Sequence, residues 1–141
     1  MHTRLIVEPD DGVAPLLNAI RHAKKTIDIT IFRLDSREIV NALEAAVARG
    51  VQIRALIAFT SHGGERDLRH LEWSLLKAGV AVSRTSDDFT RYHAKIMIVD
   101  DRILHVYGFN CTRSDLSSRS FGIITTDRKL VQQAVRLFES D

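Results

Sequence analysis

Thr26-Ile27-Asp28-Ile29-Thr30-Ile31-Phe32 is followed at once by Ser36 with Ile39, Val40, Leu43, Ala46 and Val47, then by Gly50 and a second apolar run from Val51 to Phe59. The first segment alternates isoleucine against Thr26, Asp28 and Thr30, the period of a strand with one core face and one polar face. The second repeats at helical spacing and stops at a glycine, the residue favoured just past a helix C-terminus. Strand, helix, strand in this order predicts a βαβ unit and parallel pairing.

Working outward, Leu5-Ile6-Val7 reads as a short strand and Pro9-Asp10-Asp11-Gly12 as a turn, with Asp11 as the expected cap of a helix through Lys24. Leu68, Leu71, Leu75 and Leu76 mark a third helix ending at Gly79, and Val80 to Val82 a further strand. A strand is expected from about Tyr92 to Val99, then an Asp100-Asp101 turn and a strand from Ile103 to Tyr107. A polar loop from Thr112 to Arg119, a strand from Phe121 to Thr126 and a helix from Leu130 to Phe138 complete the pattern. The expected fold is α/β, with a mixed, largely parallel sheet flanked by helices on both faces.

The chain has 141 residues, 45% hydrophobic and 27% charged, which fits one domain with a core of its own. A formal charge of +2 accommodates an anionic ligand without choosing one. Cys111 is the single cysteine, so no disulfide framework is expected and a reducing compartment is the default. No window approaches the roughly 20 apolar residues of a membrane span, and Met1 to Pro9 lacks the apolar core of a signal peptide. A cytoplasmic protein, at most peripheral to a membrane, is expected.

The chemistry concentrates in His93-Ala94-Lys95-Ile96-Met97-Ile98-Val99-Asp100, followed by Asn110. On a strand His93 and Lys95 share a face, which sets an imidazole beside an ammonium. This pairing suits attack on a phosphodiester with no metal and no cofactor. Asp100 would lie about 17 Å from His93 along a strand, so its expected role is to fix the turn or a neighbouring backbone.

His93-x-Lys95-x4-Asp100, with a later Asn in a Gly-containing turn, resembles the HKD signature of the phospholipase D and nuclease superfamily. Ala23-Lys24-Lys25-Thr26-Ile27-Asp28-Ile29, Ala48-Arg49-Gly50-Val51-Gln52-Ile53-Arg54 and Gly108-Phe109-Asn110-Cys111-Thr112-Arg113-Ser114-Asp115 extend the likeness over nearly the whole chain. The resemblance implies His93, Lys95 and Asp100 as the catalytic motif, His93 as a nucleophile forming a phosphohistidine, and Lys95 and Asn110 as holders of the phosphate. Two positions depart from it. Tyr107-Gly108-Phe109-Asn110 stands where members often have Gly-Ser-x-Asn, and Ser118-Arg119-Ser120-Phe121 stands where many carry a carboxylate that orients the histidine. Ser118, Ser120 or another group would then orient His93.

One imidazole cannot attack and protonate the leaving oxygen in one step. The partner is expected from a C2 homodimer or from a second HKD half in a longer chain of which residues 1–141 form one domain. The favoured substrate is a phospholipid-type diester cleaved or transferred; the alternatives are a nuclease and a non-catalytic binding or dimerisation half. Scattered basic residues offset by 18 acids lean against DNA. Asn110 reads equally as a left-handed turn residue or a phosphate ligand, and Arg33 and Asp35 as a loop salt bridge or a ligand end of the sheet. His62-Gly63-Gly64 is a connector or a substrate loop. His22, His70 and His105 lack metal-ligand spacing and read as structural or surface residues.

Overall fold

The structure is a computed structural model that describes residues 2–31, 33–59, 65–89 and 92–141; the expected connector at His62-Gly63-Gly64 lies outside them. Seven strands form one sheet in the order β1-β7-β6-β5-β2-β3-β4. They are β1 (Thr3–Glu8), β2 (Thr26–Ile31), β3 (Gln52–Ile57), β4 (Ala81–Arg84), β5 (Ile96–Val99), β6 (Ile103–Tyr107) and β7 (Ser120–Thr125). The helices are α1 (Ala14–His22), α2 (Arg37–Ala48), α3 (Glu65–Lys77), α4 (Arg113–Leu116) and α5 (Arg128–Ser140).

The expected α/β fold with a mixed sheet is present, but parallel pairing is confined to β2-β3-β4, two of the six strand pairings. The remaining four are antiparallel: β5 turns into β6 through the tight Asp100-Asp101 turn, β7 returns beside β6 after α4, β5 runs against β2, and β1 docks on β7 rather than beside β2. Helices cover both faces: Leu17, Ile20, Ile39, Leu43 and Leu75 pack with Ile27, Ile29 and Met97, while Val131 and Phe138 of α5 pack on Leu56, Ile98 and Leu104 of the opposite face.

Local chemistry explains most element ends. The Ser36 side chain accepts from the Ile39 amide as the N-cap of α2. Gly79 ends the third helix with φ +93°, and a Cβ there would stand 2.8 Å from Val47 Cγ1, so the close approach of α3's end to α2 requires glycine. Asp11 does not cap α1; its carboxylate accepts the Val7 amide at 2.7 Å and closes the β1 turn, while Pro15 supplies the preset φ of the first helical turn. The polar loop after Asn110 contains α4, capped by Thr112 through the Asp115 amide.

α5 is fixed by charge as well as by packing. Asp28 and Arg54 are register partners on β2 and β3 and form a bidentate pair at 2.8 Å. Arg54 also reaches Glu139 at 2.8 Å and lies 5.2 Å from the centre of the Phe138 ring. The Asp28 side chain is only 3% exposed, so Arg54 is its counter-charge and its hydrogen-bond donor. Arg54→Met should lower urea-denaturation stability by about 3 kcal/mol, the low end for stranding a buried charge because Arg54 itself is half exposed, and the additional Asp28→Asn change should recover part of that loss.

Candidate functional site

β5 begins at Ile96, so His93, Ala94 and Lys95 precede the strand rather than lying within it as expected. The cause is Thr30. Its hydroxyl donates to Ala94 O at 3.0 Å and accepts from Ile96 N at 2.9 Å, replacing the ladder where β5 leaves β2. On the other side Tyr107 N donates to Lys95 O at 2.9 Å. The segment is held by two neighbours while its side chains leave the sheet plane.

His93 and Lys95 do come together. Lys95 Nζ lies 3.1 Å from His93 Nδ1 and donates to His93 O at 2.9 Å. An ammonium carries only donors, so Nδ1 acts as acceptor and the ring proton of neutral His93 resides on Nε2. His93 is exposed and Lys95 half-buried.

Asn110 reaches the same place from β6. Its amide donates to Asp115 Oδ2 at 2.7 Å, and its Oδ1 is buried with no hydrogen-bond partner. Among the described residues only Asp100 and Asp101 have positive φ outside glycine, so Asn110 is not a left-handed turn residue. The loop that carries it is tied to the end of β2: Leu34 bridges Cys111, and Asp35 accepts the Arg113 amide at 3.1 Å. An open cleft of about 880 Å³ is lined by His93 and Asn110 together with Arg33, Asp35, Asp67 and His70. The cleft lies beyond the carboxyl ends of β2 and β3, where ligands of parallel sheets bind.

Asp100 lies at the far end of β5. With Asp101 it forms a tight hairpin in which both residues have positive φ (54° and 52°) and Arg102 N donates to Val99 O at 3.0 Å. Its carboxylate accepts from the amides of Lys24, Lys25 and Thr26, with Lys25 at 2.7 Å. It therefore clamps the α1–β2 junction to the hairpin and touches nothing in the cleft.

The remaining expectations divide. Ser118 Oγ donates to Ser114 O at 2.9 Å and serves α4. Ser120 Oγ is buried without a partner, and Glu8, its register partner on β1, is fully buried near the Gly12 amide. Burial raises the Glu8 carboxyl above its ordinary range, with the Gly12 amide lowering it only in part. The sequence reading passed over Glu8, although it shares the parity of buried Ile6. His70 was read as a structural or surface residue, yet it lines the cleft; α3 turns Asp67, His70 and Ser74 toward it. His105 is buried against the Tyr107 hydroxyl at 2.8 Å, and burial lowers its pKa to about 4. Burial likewise pushes the Cys111 thiol up to about 12. Among the described residues no cluster of three His, Cys, Asp or Glu side chains is placed to hold a metal ion, and no helix is long and apolar enough to cross a membrane.

The family model described as cardiolipin synthase, PLD-like domain, matches residues 16–141. Mitochondrial cardiolipin hydrolase from Homo sapiens is 27% identical over 134 residues, 92% of this chain, and this chain spans 50% of that protein's length. Among solved structures, a phospholipase D family member, Nuc from Salmonella typhimurium, has a TM-score of 0.83 at 24% identity, covering 99% of this chain and 93% of that one. NucT from Helicobacter pylori has a TM-score of 0.82 at 17% identity, covering 99% and 94% of the two chains.

Two measurements test this geometry. The Asp100 carboxyl is half-buried, and desolvation alone would raise its pKa, but the Thr26, Lys25 and Lys24 amides together lower it. Its contribution is thus present above the ordinary carboxylate range and lost as pH falls through the lowered value. Asp100→Asn should flatten that acid limb in denaturation curves and cost about 2 kcal/mol at neutral pH. The missing family serine also has a local cause: a Cβ on Gly108 would stand 2.7 Å from Phe121 O, whose oxygen accepts the Gly108 amide. Gly108→Ser should therefore destabilise the fold by about 1–3 kcal/mol, read as a lower melting temperature.

Proposed function

Because the chain belongs to the family of phospholipase D-like domains, we propose that it is a phosphodiesterase or phosphatidyltransferase of phospholipase D type in which His93 is the nucleophile. The observation that carries this reading is that His93 and Asn110 line one open cleft while the Lys95 ammonium lies 3.1 Å from the His93 ring. A His93 nitrogen attacks phosphorus, the bond to the leaving oxygen breaks, and a covalent phosphohistidine forms; water or an alcohol then takes the phosphoryl group and frees the ring. Lys95 and Asn110 hold the non-bridging oxygens and offset the charge that builds on them, which is the work a metal would otherwise do. The Lys95 contact to Nδ1 acts as a latch. When a phosphate draws Lys95 away, Nδ1 is free to carry the ring proton and the Nε2 lone pair becomes available for attack.

The leaving oxygen takes its proton from a second imidazole, contributed by a second copy of this chain or by a second half of a longer one. A strip of exposed apolar side chains supports a second copy. Leu5, Ile123 and Val106 are register neighbours across β1, β7 and β6, with Phe121 beside them, and each is at least 41% exposed on the sheet face that carries α5 over Ile98 and Leu104. Phospholipid is favoured over nucleic acid because Asp35, Asp67 and Asp115 share the cleft with Arg33 and Arg37, a mixed lining poorly matched to a run of phosphates. The relative named as a cardiolipin hydrolase points the same way. A cytoplasmic protein working at a membrane surface fits that substrate.

The test is turnover of cardiolipin and phosphatidylglycerol vesicles and of single-stranded DNA, each with EDTA. Lipid should be cleaved, His93→Ala should lose about 10⁴-fold or more, and Lys95→Met about 10²–10³-fold. A denaturing quench at alkaline pH should trap an acid-labile phosphatidyl group on His93. Turnover abolished by EDTA, or turnover without that intermediate, contradicts the mechanism; turnover of DNA alone contradicts the substrate.

A further inference from the structure

α3 has three faces with different surroundings. Leu68, Leu71 and Leu75 are buried in the core, and Asp67, His70 and Ser74 line the cleft. The third face turns outward, and it carries Trp73, 64% exposed, and Leu76, 49% exposed. Trp73 stands one turn from Leu76 and Lys77 and two turns from Arg66, so apolar and cationic side chains share this face. Arg66 and Lys77 are both exposed. A lone exposed apolar side chain is ordinary, but a tryptophan with a leucine one turn away forms a patch. Phe59 extends it: this exposed residue follows β3, and its carbonyl accepts from Arg69 of α3 at 3.5 Å.

Charge identifies what such a patch would meet. Residues 69–84 hold Arg69, Lys77 and Arg84 against one carboxylate, Glu72. Glu72 accepts from Arg69 at 2.7 Å and from Arg84 of the edge strand β4 at 3.0 Å, so a single negative charge is shared by two guanidiniums. The edge is left cationic. An indole and an aliphatic chain among cations suit an anionic bilayer surface: the ring settles at headgroup level, the leucine enters the acyl boundary, and each cation adds attraction to the headgroups. A second copy has a different place to dock, since the strip on β1, β7 and β6 lies at the opposite end of the sheet from β4.

We propose that the outward face of α3, centred on Trp73, Leu76 and Lys77, docks on an anionic lipid bilayer and presents the neighbouring cleft to the headgroups. The inference rests on the phospholipid substrate proposed above and names the surface by which the protein reaches it. Because the same helix walls the cleft, a bilayer seated on this face lies about one helix diameter, about 10–12 Å, from the cleft lining. A headgroup reaches the cleft without its lipid leaving the membrane entirely.

The experiment uses the full chain with vesicles of equimolar phosphatidylglycerol and phosphatidylcholine, and with pure phosphatidylcholine vesicles and single-stranded DNA for comparison. Trp73 is the single tryptophan of the chain, so its emission reports contact directly. It should shift to the blue on the anionic vesicles, hardly move on the neutral ones, and return as salt is raised. In cosedimentation, Trp73→Ala and Leu76→Glu should each weaken binding to anionic vesicles about tenfold, and Lys77→Glu about fivefold or more. All three should keep the wild-type rate on soluble bis(p-nitrophenyl) phosphate while losing turnover of vesicle lipid in proportion to binding, a split that damage to the fold would not produce. The proposal is overturned by an emission that stays unshifted, shifts equally on neutral vesicles or shifts with DNA alone, and by wild-type vesicle binding in Trp73→Ala. Emission that is already blue in the free protein and moves to the red on dilution would place a second copy on this face and overturn it as well. If wild type binds anionic vesicles but cleaves no diester, the docking surface stands and the proposed activity fails; if it cleaves detergent-dispersed lipid without binding vesicles, the activity stands and the docking surface fails.

Discussion

The Thr30 hydroxyl is the interaction on which the site depends. Donating to Ala94 O and accepting from Ile96 N, it makes both contacts that a strand would otherwise make with its neighbour, at the point where β5 turns away from β2. Without it the residues from His93 to Lys95 would either continue the sheet or lose their anchorage. In the first case the histidine would be committed to a strand face; in the second it would sample many positions and lose the advantage of being held ready. One side chain thus separates a rigid sheet from the segment that presents His93 and Lys95.

The clamp formed by Asp100 works at the opposite end of the same strand. β5 is only four residues long, so fixing its hairpin to the α1–β2 junction at one end and its entry to Thr30 at the other leaves little freedom between. The third residue of the His-Lys-Asp pattern therefore serves the first two through geometry. Its carboxylate never approaches them; it sets the register of the strand that presents them.

Much of this was legible in the chain itself. Alternating isoleucines around Asp28 and Thr30 announced a core strand, Ser36 and Gly50 bounded α2, and the His93-x-Lys95 spacing announced an imidazole beside an ammonium. What could not be read was long-range. The run of strands and helices suggested a mixed, largely parallel sheet, whereas β1 travels to the far edge to pair antiparallel with β7, a choice that nothing in Leu5-Ile6-Val7 records. The strand expected to start at Tyr92 begins at Ile96 because of a hydroxyl 66 residues away.

The pairing of β1 with β7 also orders events in time. Thr3 lies opposite Thr125, so the first strand made by the ribosome waits for nearly the last before it has anything to bond. Contacts of such large sequence separation form late, since the intervening loop must close before they reward the chain. The central strands, β2 with β3, β4 and β5, can pair before β7 exists, so the edge of the sheet is closed only when the two ends of the chain meet.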